Sequence, residues 1–162
     1  MTKKDHLDDV DRSPRLVKIN FRLSADDRQK GVESENLWAE SLDEDRFRLD
    51  SIPFYAYGVS LADVVVADVV DGQFQFRNVA LRGGHSTYRI LVKDPSGYES
   101  QGFQQAWREI EPLNCRYEVA KRRWIAIDVP PTSDVFAVYR LLEKGEAAGT
   151  WTFEEAHCGH AV

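Results

Sequence analysis

The residue types best suited to chemistry stand together after a pair of glycines near the middle of the chain. His85, Ser86 and Thr87 directly follow Gly83 and Gly84. Glycine lets a backbone approach a ligand closely, and a histidine next to a hydroxyl can supply a base and a nucleophile. Adjacent side chains of a strand point to opposite faces, however, so we do not expect His85 and Ser86 to hydrogen-bond each other. The segment is therefore a candidate ligand site or, alternatively, a junction at which these side chains bond to backbone across a bend.

Another polar residue assigned to this candidate site is Asp63, which ends the turn Ser60-Leu61-Ala62-Asp63. Aspartates in turns commonly accept hydrogen bonds from nearby amides, so its expected role is structural. The chain contains no nucleophile elbow, phosphate-binding loop or dinucleotide fingerprint. We therefore predict no catalytic residue and no cofactor.

Acidic residues and a tryptophan in the first third of the chain form the second candidate site, a surface for a partner protein. Its members are Glu33, Glu35, Trp38, Asp43, Glu44 and Asp45. The formal net charge of −6 argues against duplex nucleic acid and is compatible with docking onto a basic protein. Two alternatives stay open: the charge serves solubility alone, or Trp38 lies in the core.

The two cysteines, Cys115 and Cys158, are too few for a disulfide framework and are typical of a reducing cytosol. His157 and His160 lie beside the second of them, but the paired spacings of zinc sites are missing, so no metal site is predicted. The sequence leaves open whether the two thiols pair. It contains no apolar run of about 18 residues, so we expect no membrane contact and a cytoplasmic protein.

A basic turn, Lys121-Arg122-Arg123, raises the question of RNA binding. Tyr88, Tyr117 and Trp124 lie on strands that the sequence predicts nearby. Aromatic rings on a sheet next to basic residues are typical of surfaces that stack RNA bases. The negative net charge and the missing glycine–aromatic motif favour a solvated hairpin tip instead.

The elements that must position these residues fall into two groups, of which the first contains only strands. Residues 1–14 are polar and aperiodic, and we interpret them as a mobile charged arm. Period-two alternation and short turns predict about five strands between residues 15 and 84, with Asp71-Gly72 as a hairpin turn. Ala62–Val70 has the composition of a strand buried on both faces. Small sheets of this kind commonly close into a barrel.

The second group alternates strands with helices. Phe103, Trp107 and Ile110 share one face of a predicted helix, and a second helix is predicted to start at Thr132 or Ser133. The predicted strands are Thr87–Val92, Arg116–Ala120, Trp124–Val129 and Thr150–Ala156. The order β-α-β-β-α-β is that of ferredoxin-like domains. The predicted fold class is therefore α+β: a small all-β, barrel-like subdomain (15–84), a ferredoxin-like subdomain (85–156) and a tail (157–162).

Five short segments carry a resemblance to a known family. They are Glu35-Asn36-Leu37-Trp38-Ala39-Glu40, Arg48-Leu49-Asp50-Ser51-Ile52-Pro53-Phe54, Gly58-Val59-Ser60-Leu61-Ala62-Asp63-Val64-Val65, Gly84-His85-Ser86-Thr87 and Ile127-Asp128-Val129-Pro130-Pro131. On these segments the chain resembles an uncharacterised bacterial family, domain of unknown function 4265, over nearly its whole length after the arm. Ala62 stands where this resemblance leads us to expect a glycine. The resemblance implies no activity, substrate or cofactor.

Three classes of function remain as expectations. The first is a non-catalytic protein-binding module, of the immunity-protein or inhibitor type, that acts on a basic partner protein. The alternative is a small-molecule-binding or enzymatic domain with its site around His85. The third is a regulator of RNA or of a ribonuclease, acting through Arg122 and Arg123.

Overall fold

Two sheets and two α-helices make up the part of the chain that the computed structural model describes, residues 15–25 and 31–162. The predicted arm, residues 1–14, lies outside the described residues. The strands are β1 (Leu16–Arg22), β2 (Ser34–Ser41), β3 (Arg46–Leu49), β4 (Val64–Val70), β5 (Gln73–Leu81), β6 (Ser86–Val92), β7 (Arg116–Lys121), β8 (Trp124–Val129) and β9 (Trp151–His157). The helices are α1 (Gln101–Ile110) and α2 (Val135–Ala147). The fold is therefore a mixture of α and β in which strands predominate.

The first sheet is a ring in which each strand from β1 to β5 pairs antiparallel with the next. A short parallel pairing closes the ring, where Ile19 of β1 lies opposite Phe74 of β5. The alternation in β1 turns Ile19 and Phe21 inward, and the Phe21 ring stacks on Phe76 with centroids 4.5 Å apart. The interior of the ring is thus filled by the side chains that the period-two pattern predicted.

Strand β4 is only partly buried, although the sequence predicted burial on both faces. Val64 and Val65 are buried, whereas Val69 and Val70 are exposed. Strand β3 pairs with β4 only as far as Val66, so among the described strands the second half of β4 has a neighbour on one side alone. The hairpin after it turns at Asp71-Gly72 with positive φ at both residues (51° and 75°), as the Asp-Gly pair predicted.

The second sheet has the strand order β7-β8-β6-β9 and is antiparallel throughout. Helix α1 buries Phe103, Trp107 and Ile110 against it, the face that the helical spacing predicted. Ser100 caps α1, because its hydroxyl accepts a hydrogen bond from the amide of Phe103. Pro112 lies in the 3-10 turn Glu111–Leu113, which follows the helix.

Helix α2 starts later than predicted. Asp134 is its N-cap, since the Asp134 carboxylate accepts from the amide of Ala137. The helix continues through Gly145, which packs against the Trp151 indole, and ends before Gly149 with φ of 78°. Neither α-helix of the described residues has the length and apolar composition of a membrane-spanning helix.

Candidate functional site

Thr87 and Asp63, two members of the predicted ligand site, are both bonded to Ser60 near the contact between the two sheets. The hydroxyls of Ser60 and Thr87 are 2.6 Å apart, and both residues are fully buried. The Asp63 carboxylate is also fully buried and accepts hydrogen bonds from the amides of Ser60 (3.0 Å) and Gly83 (2.8 Å). The Arg82 guanidinium contacts the same carboxylate at 3.2 Å. The polar groups of Thr87 and Asp63 therefore have hydrogen-bond partners within the protein, and the role of these two residues is structural.

The turn that carries Asp63 is tight although it lacks the expected glycine. Ala62 has φ of 69°, in the left-handed region that glycine adopts most easily. The turn lies directly against Gly83, where an added Cβ would stand 2.7 Å from the Ala62 carbonyl. Close backbone packing therefore explains Gly83 of the glycine pair without a ligand.

His85 is held by Asp128 on β8. Its Nδ1 lies 2.7 Å from Oδ1 of Asp128, and the imidazole is 16% exposed whereas the carboxylate is 1% exposed. Oδ2 of Asp128 is buried without a hydrogen-bond partner in the described structure, and the Arg116 guanidinium is 3.8 Å away. Burial raises the pKa of Asp128 above its ordinary value, while the hydrogen bond and charge of His85 act in the opposite direction.

Ser86 bonds to the tail that follows β9. Its Oγ accepts a hydrogen bond from the Gly159 amide (2.9 Å) and lies 2.6 Å from Nδ1 of His160. Nε2 of His160 lies 3.0 Å from the carbonyl oxygen of Pro130, which can only accept, so Nε2 donates this hydrogen bond. Ser86 is fully buried, so this serine–histidine pair fixes the tail and offers no exposed nucleophile. His85 and Ser86 do not bond to each other, as expected.

A second polar network joins the sheets through the loop Pro53–Tyr57, and sequence reasoning missed it. Glu35 of β2 accepts hydrogen bonds from three loop amides, those of Phe54 (2.7 Å), Tyr55 (2.9 Å) and Ala56 (2.8 Å). Glu35 is only 8% exposed, so it does not belong to the partner surface to which the sequence assigned it.

Arg89 of β6 holds the other side of the same loop. Its guanidinium donates to the carbonyls of Ala56 (2.8 Å), Pro53 (3.3 Å) and Tyr55 (3.3 Å), and Nε donates to Glu154 (3.0 Å). The guanidinium is fully buried and stacks 4.4 Å from the centroid of the Tyr57 ring. With its amides held by one sheet and its carbonyls by the other, the loop locks the two sheets together.

The remaining members of the predicted partner surface are exposed. Trp38 is 47% exposed on the outer face of β2, which excludes its placement in the core. Glu33 is exposed before β2, and Asp43, Glu44 and Asp45 are exposed in the turn between β2 and β3.

Two leucines extend this surface around Trp38. The β1–β2 register places Leu16 opposite Glu40, which lies between Trp38 and Leu42 along the chain. Both leucines are exposed. We call the outer side chains of Leu16, Lys18, Trp38 and Leu42, with the acidic turn at residues 43–45, the Trp38 face.

The tail histidines and the cysteines do not form a metal centre in the described part of the chain. Cys115 and Cys158 are both free thiols. Burial raises the pKa of the Cys115 thiol to about 12, so it is not a reactive nucleophile. Burial also lowers the pKa of His157, whose Nε2 is buried without a hydrogen-bond partner in the described structure.

The aromatic residues near the basic turn are occupied by packing. Tyr88 is buried beneath α2, and the Tyr117 ring packs against Phe103 and Trp107. Trp124 donates its indole N–H to the carbonyl of Phe54 (2.9 Å) at the contact between the sheets. The rings that the sequence suggested for stacking RNA bases therefore serve the core and the sheet contact.

The chain is similar to a protein family and to a solved structure. The model of a family described as a domain of unknown function (DUF4265) matches residues 35–153. A crystal structure described as a hypothetical protein from Neisseria gonorrhoeae superposes with a TM-score of 0.72 at 17% sequence identity, covering 91% of this chain and 97% of that chain. At this identity the likeness concerns the fold alone. A comparison with curated proteins finds no match.

Proposed function

We propose that this chain, which belongs to the domain-of-unknown-function family DUF4265, is a non-catalytic protein-binding module whose Trp38 face docks onto a basic partner protein. The observation that carries the proposal is the exposure of Trp38, nearly half of whose surface meets solvent. Tryptophan is enriched among the few residues that dominate the affinity of protein interfaces. An exposed tryptophan on a surface that also exposes Leu16 and Leu42 is therefore a suitable hot spot for a partner.

The Trp38 side chain stands on a rigid backbone. Its amide donates to Oγ of Ser51 (3.1 Å), and its carbonyl accepts from the amide of Asp50 (2.8 Å). On the other side, residues 34–40 of β2 pair with β1, and the ammonium of Lys18 lies 4.9 Å from the indole. An anchor that is already ordered loses little conformational entropy when it binds.

The charge of the chain indicates the partner's chemistry. The net charge is −6, and the turn beside Trp38 exposes three consecutive carboxylates, Asp43, Glu44 and Asp45. Glu40 is neutralised by Arg48 at 3.2 Å, so the free negative charge lies at the rim of the Trp38 face. Rim charges mainly speed the encounter with a partner of opposite sign, which is how an immunity protein or inhibitor meets a basic enzyme.

The test is a binding measurement on a partner captured with the tagged chain and then purified. We expect a one-to-one complex with a basic protein and about thirtyfold weaker binding for Trp38→Ala, the effect of an interface hot spot. The matched control is Leu81→Ala, which removes a leucine that is 67% exposed on β5 and should leave the affinity unchanged.

A charge-reversed variant, with lysine at positions 43, 44 and 45, separates the roles of charge and anchor. We expect it to slow association at low salt more than it speeds dissociation. Wild-type affinity in both Trp38→Ala and the charge-reversed variant would contradict the proposal.

We also infer finer features of architecture and location. The closure of β1 onto β5 supports a small barrel. The order β7-β8-β6-β9, with a helix between β6 and β7 and another between β8 and β9, supports a ferredoxin-like second half. The free thiols of Cys115 and Cys158 support a reducing compartment such as the cytoplasm.

The alternative site around His85 keeps one supporting observation. Asp128 orients the His85 imidazole, and the imidazole retains some exposure to solvent. The neighbouring hydroxyls of Ser60 and Thr87 are in direct contact, however, and leave no room for a ligand between them. The Trp38 face is therefore the better supported of the two sites.

A further inference from the structure

A cavity of about 330 Å³ lies where helix α2 packs on the second sheet. It opens between α2, β9 and the residues that follow β9, and it is lined mainly by apolar and aromatic side chains. Its volume falls within the range of small-molecule sites. No residue of the Trp38 face lines it, so a ligand here would be a second function of the chain.

Three aromatic rings, those of Tyr88, Phe136 and Tyr139, line this cavity and determine which ligands it favours. Phe136 and Tyr139 are three residues apart on α2 and therefore share a helix face. Tyr88 of β6 meets Tyr139 edge to face, with centroids 6.1 Å apart, and Tyr139 also packs on Phe153 at 5.4 Å. Faces of aromatic rings carry negative potential and attract cations, most strongly where water is partly excluded.

One carboxylate lies among these rings. The hydroxyl of Tyr88 donates to Oε1 of Glu155 at 2.9 Å, and the described residues donate no hydrogen bond to Oε2. Burial, followed by the hydrogen bond to Glu155, raises the pKa of Tyr88, so the phenol keeps its proton and remains a donor. The carboxylate is thus fixed in position and has one oxygen available to a ligand.

We propose that this cavity binds a small organic ammonium ion, with an alkylated or quaternary nitrogen preferred over a primary amine. An anion would be repelled by Glu155, and a neutral apolar molecule would leave that carboxylate without a counter-charge while covering it. An alkylated ammonium presents methyl groups to Val135 and the three rings and a positive charge to Oε2. Aromatic rings combined with an acidic group are the usual means of recognising such ions.

The test compares two probes of equal shape and different charge. Choline carries a trimethylammonium group, and 3,3-dimethylbutan-1-ol is its uncharged carbon isostere. Titrations followed by amide chemical shifts, at constant ionic strength set with sodium chloride, should show choline binding at least about tenfold more tightly than the alcohol. Equal affinities, or no binding of choline, would overturn the proposal.

Two variants distinguish the effect of the Glu155 carboxylate from the effect of the overall negative charge of the chain. Glu155→Gln keeps an acceptor for Tyr88 and removes the charge, so it should weaken choline binding about tenfold and leave the alcohol unaffected. Glu99→Gln removes the same charge from an exposed position outside the cavity and should not change choline binding. If both variants weakened choline binding equally, the effect would be long-range electrostatics and the site assignment would be wrong.

Cys158 supplies a readout that is independent of chemical shifts. Its thiol lines the cavity, whereas Cys115 is buried with a raised pKa, so a maleimide should modify Cys158 first. Choline should slow this modification in the wild type and not in Glu155→Gln, while the alcohol at equal concentration should not slow it. Unchanged rates with choline in the wild type would count against occupancy of the cavity.

Discussion

Replacing Arg89 by methionine tests whether the loop Pro53–Tyr57 locks the two sheets together. Methionine keeps most of the apolar stem and removes a guanidinium that makes hydrogen bonds to three carbonyls and to Glu154. Arg89 is fully buried, and the shortest of these bonds, to Ala56, is 2.8 Å. The variant leaves the three loop carbonyls without the guanidinium donor and therefore incurs their desolvation cost, whereas Glu154 keeps the hydrogen bond from the Tyr57 hydroxyl (2.7 Å).

These contacts set the expected loss in the free energy of unfolding. Each hydrogen bond to a charged group contributes about 1.5–3 kcal/mol, but the terms are not additive and the buried cation is itself costly to desolvate. Removing one partner of a buried charged network typically costs about 3–5 kcal/mol, and we expect Arg89→Met to lower the free energy of unfolding by this amount. Urea denaturation followed by tryptophan fluorescence and by circular dichroism measures it.

The control is Arg77→Met, which makes the same chemical change at a surface ion pair. The Arg77 side chain is 61% exposed and lies 3.7 Å from Asp68, so its replacement should cost less than about 1 kcal/mol. If the two variants differed by less than about 1 kcal/mol, the inference that Arg89 joins the sheets would be refuted.

Two further predictions concern packing and pH. Gly145→Ala should lower the free energy of unfolding by about 1–3 kcal/mol, because the added Cβ would lie 2.3 Å from the Trp151 indole. Gly102→Ala in α1 meets open space and should raise it by about 0.5–1 kcal/mol; equal effects in urea melts would contradict the packing argument. Burial lowers the pKa of His157 in the folded chain below the ordinary value of 6.5, so the unfolded chain binds the proton more tightly and stability falls on acidification through this range. The melting temperature of the wild type should therefore fall more between about pH 7 and pH 5 than that of His157→Gln, and parallel pH profiles would rule this out.

Local signals in the sequence predicted most of the strands and both helices. The predicted strand Trp124–Val129 has the observed bounds of β8. Asp71-Gly72 specified its hairpin because few other residues accept positive φ at both turn positions. The start of α2 was placed wrongly because several candidate caps follow one another there, and only the folded chain selects Asp134.

The polar contacts between the sheets were harder to predict because they join distant parts of the chain. Glu35 carries a readable signal: it alternates with Leu37 and Ala39, so it lies on the apolar face of β2. A carboxylate on that face requires hydrogen-bond donors. Arg89 gives no such signal, since β6 is buried on both faces and the carbonyls it binds lie more than 30 residues earlier.

The loop between the sheets has a consequence for how the chain folds during its synthesis. Strands β1–β5 are complete once Leu81 has left the ribosome, and Glu35 can then hold the loop amides. The loop carbonyls stay hydrated until Arg89 is placed in the second sheet, where β6 pairs with β8 and β9, and its partner Glu154 is synthesised 65 residues after it. In the nascent chain, the loop therefore has its amides bonded and its carbonyls unbonded while almost half of the chain is synthesised. A translational pause in this interval would expose that loop to proteases.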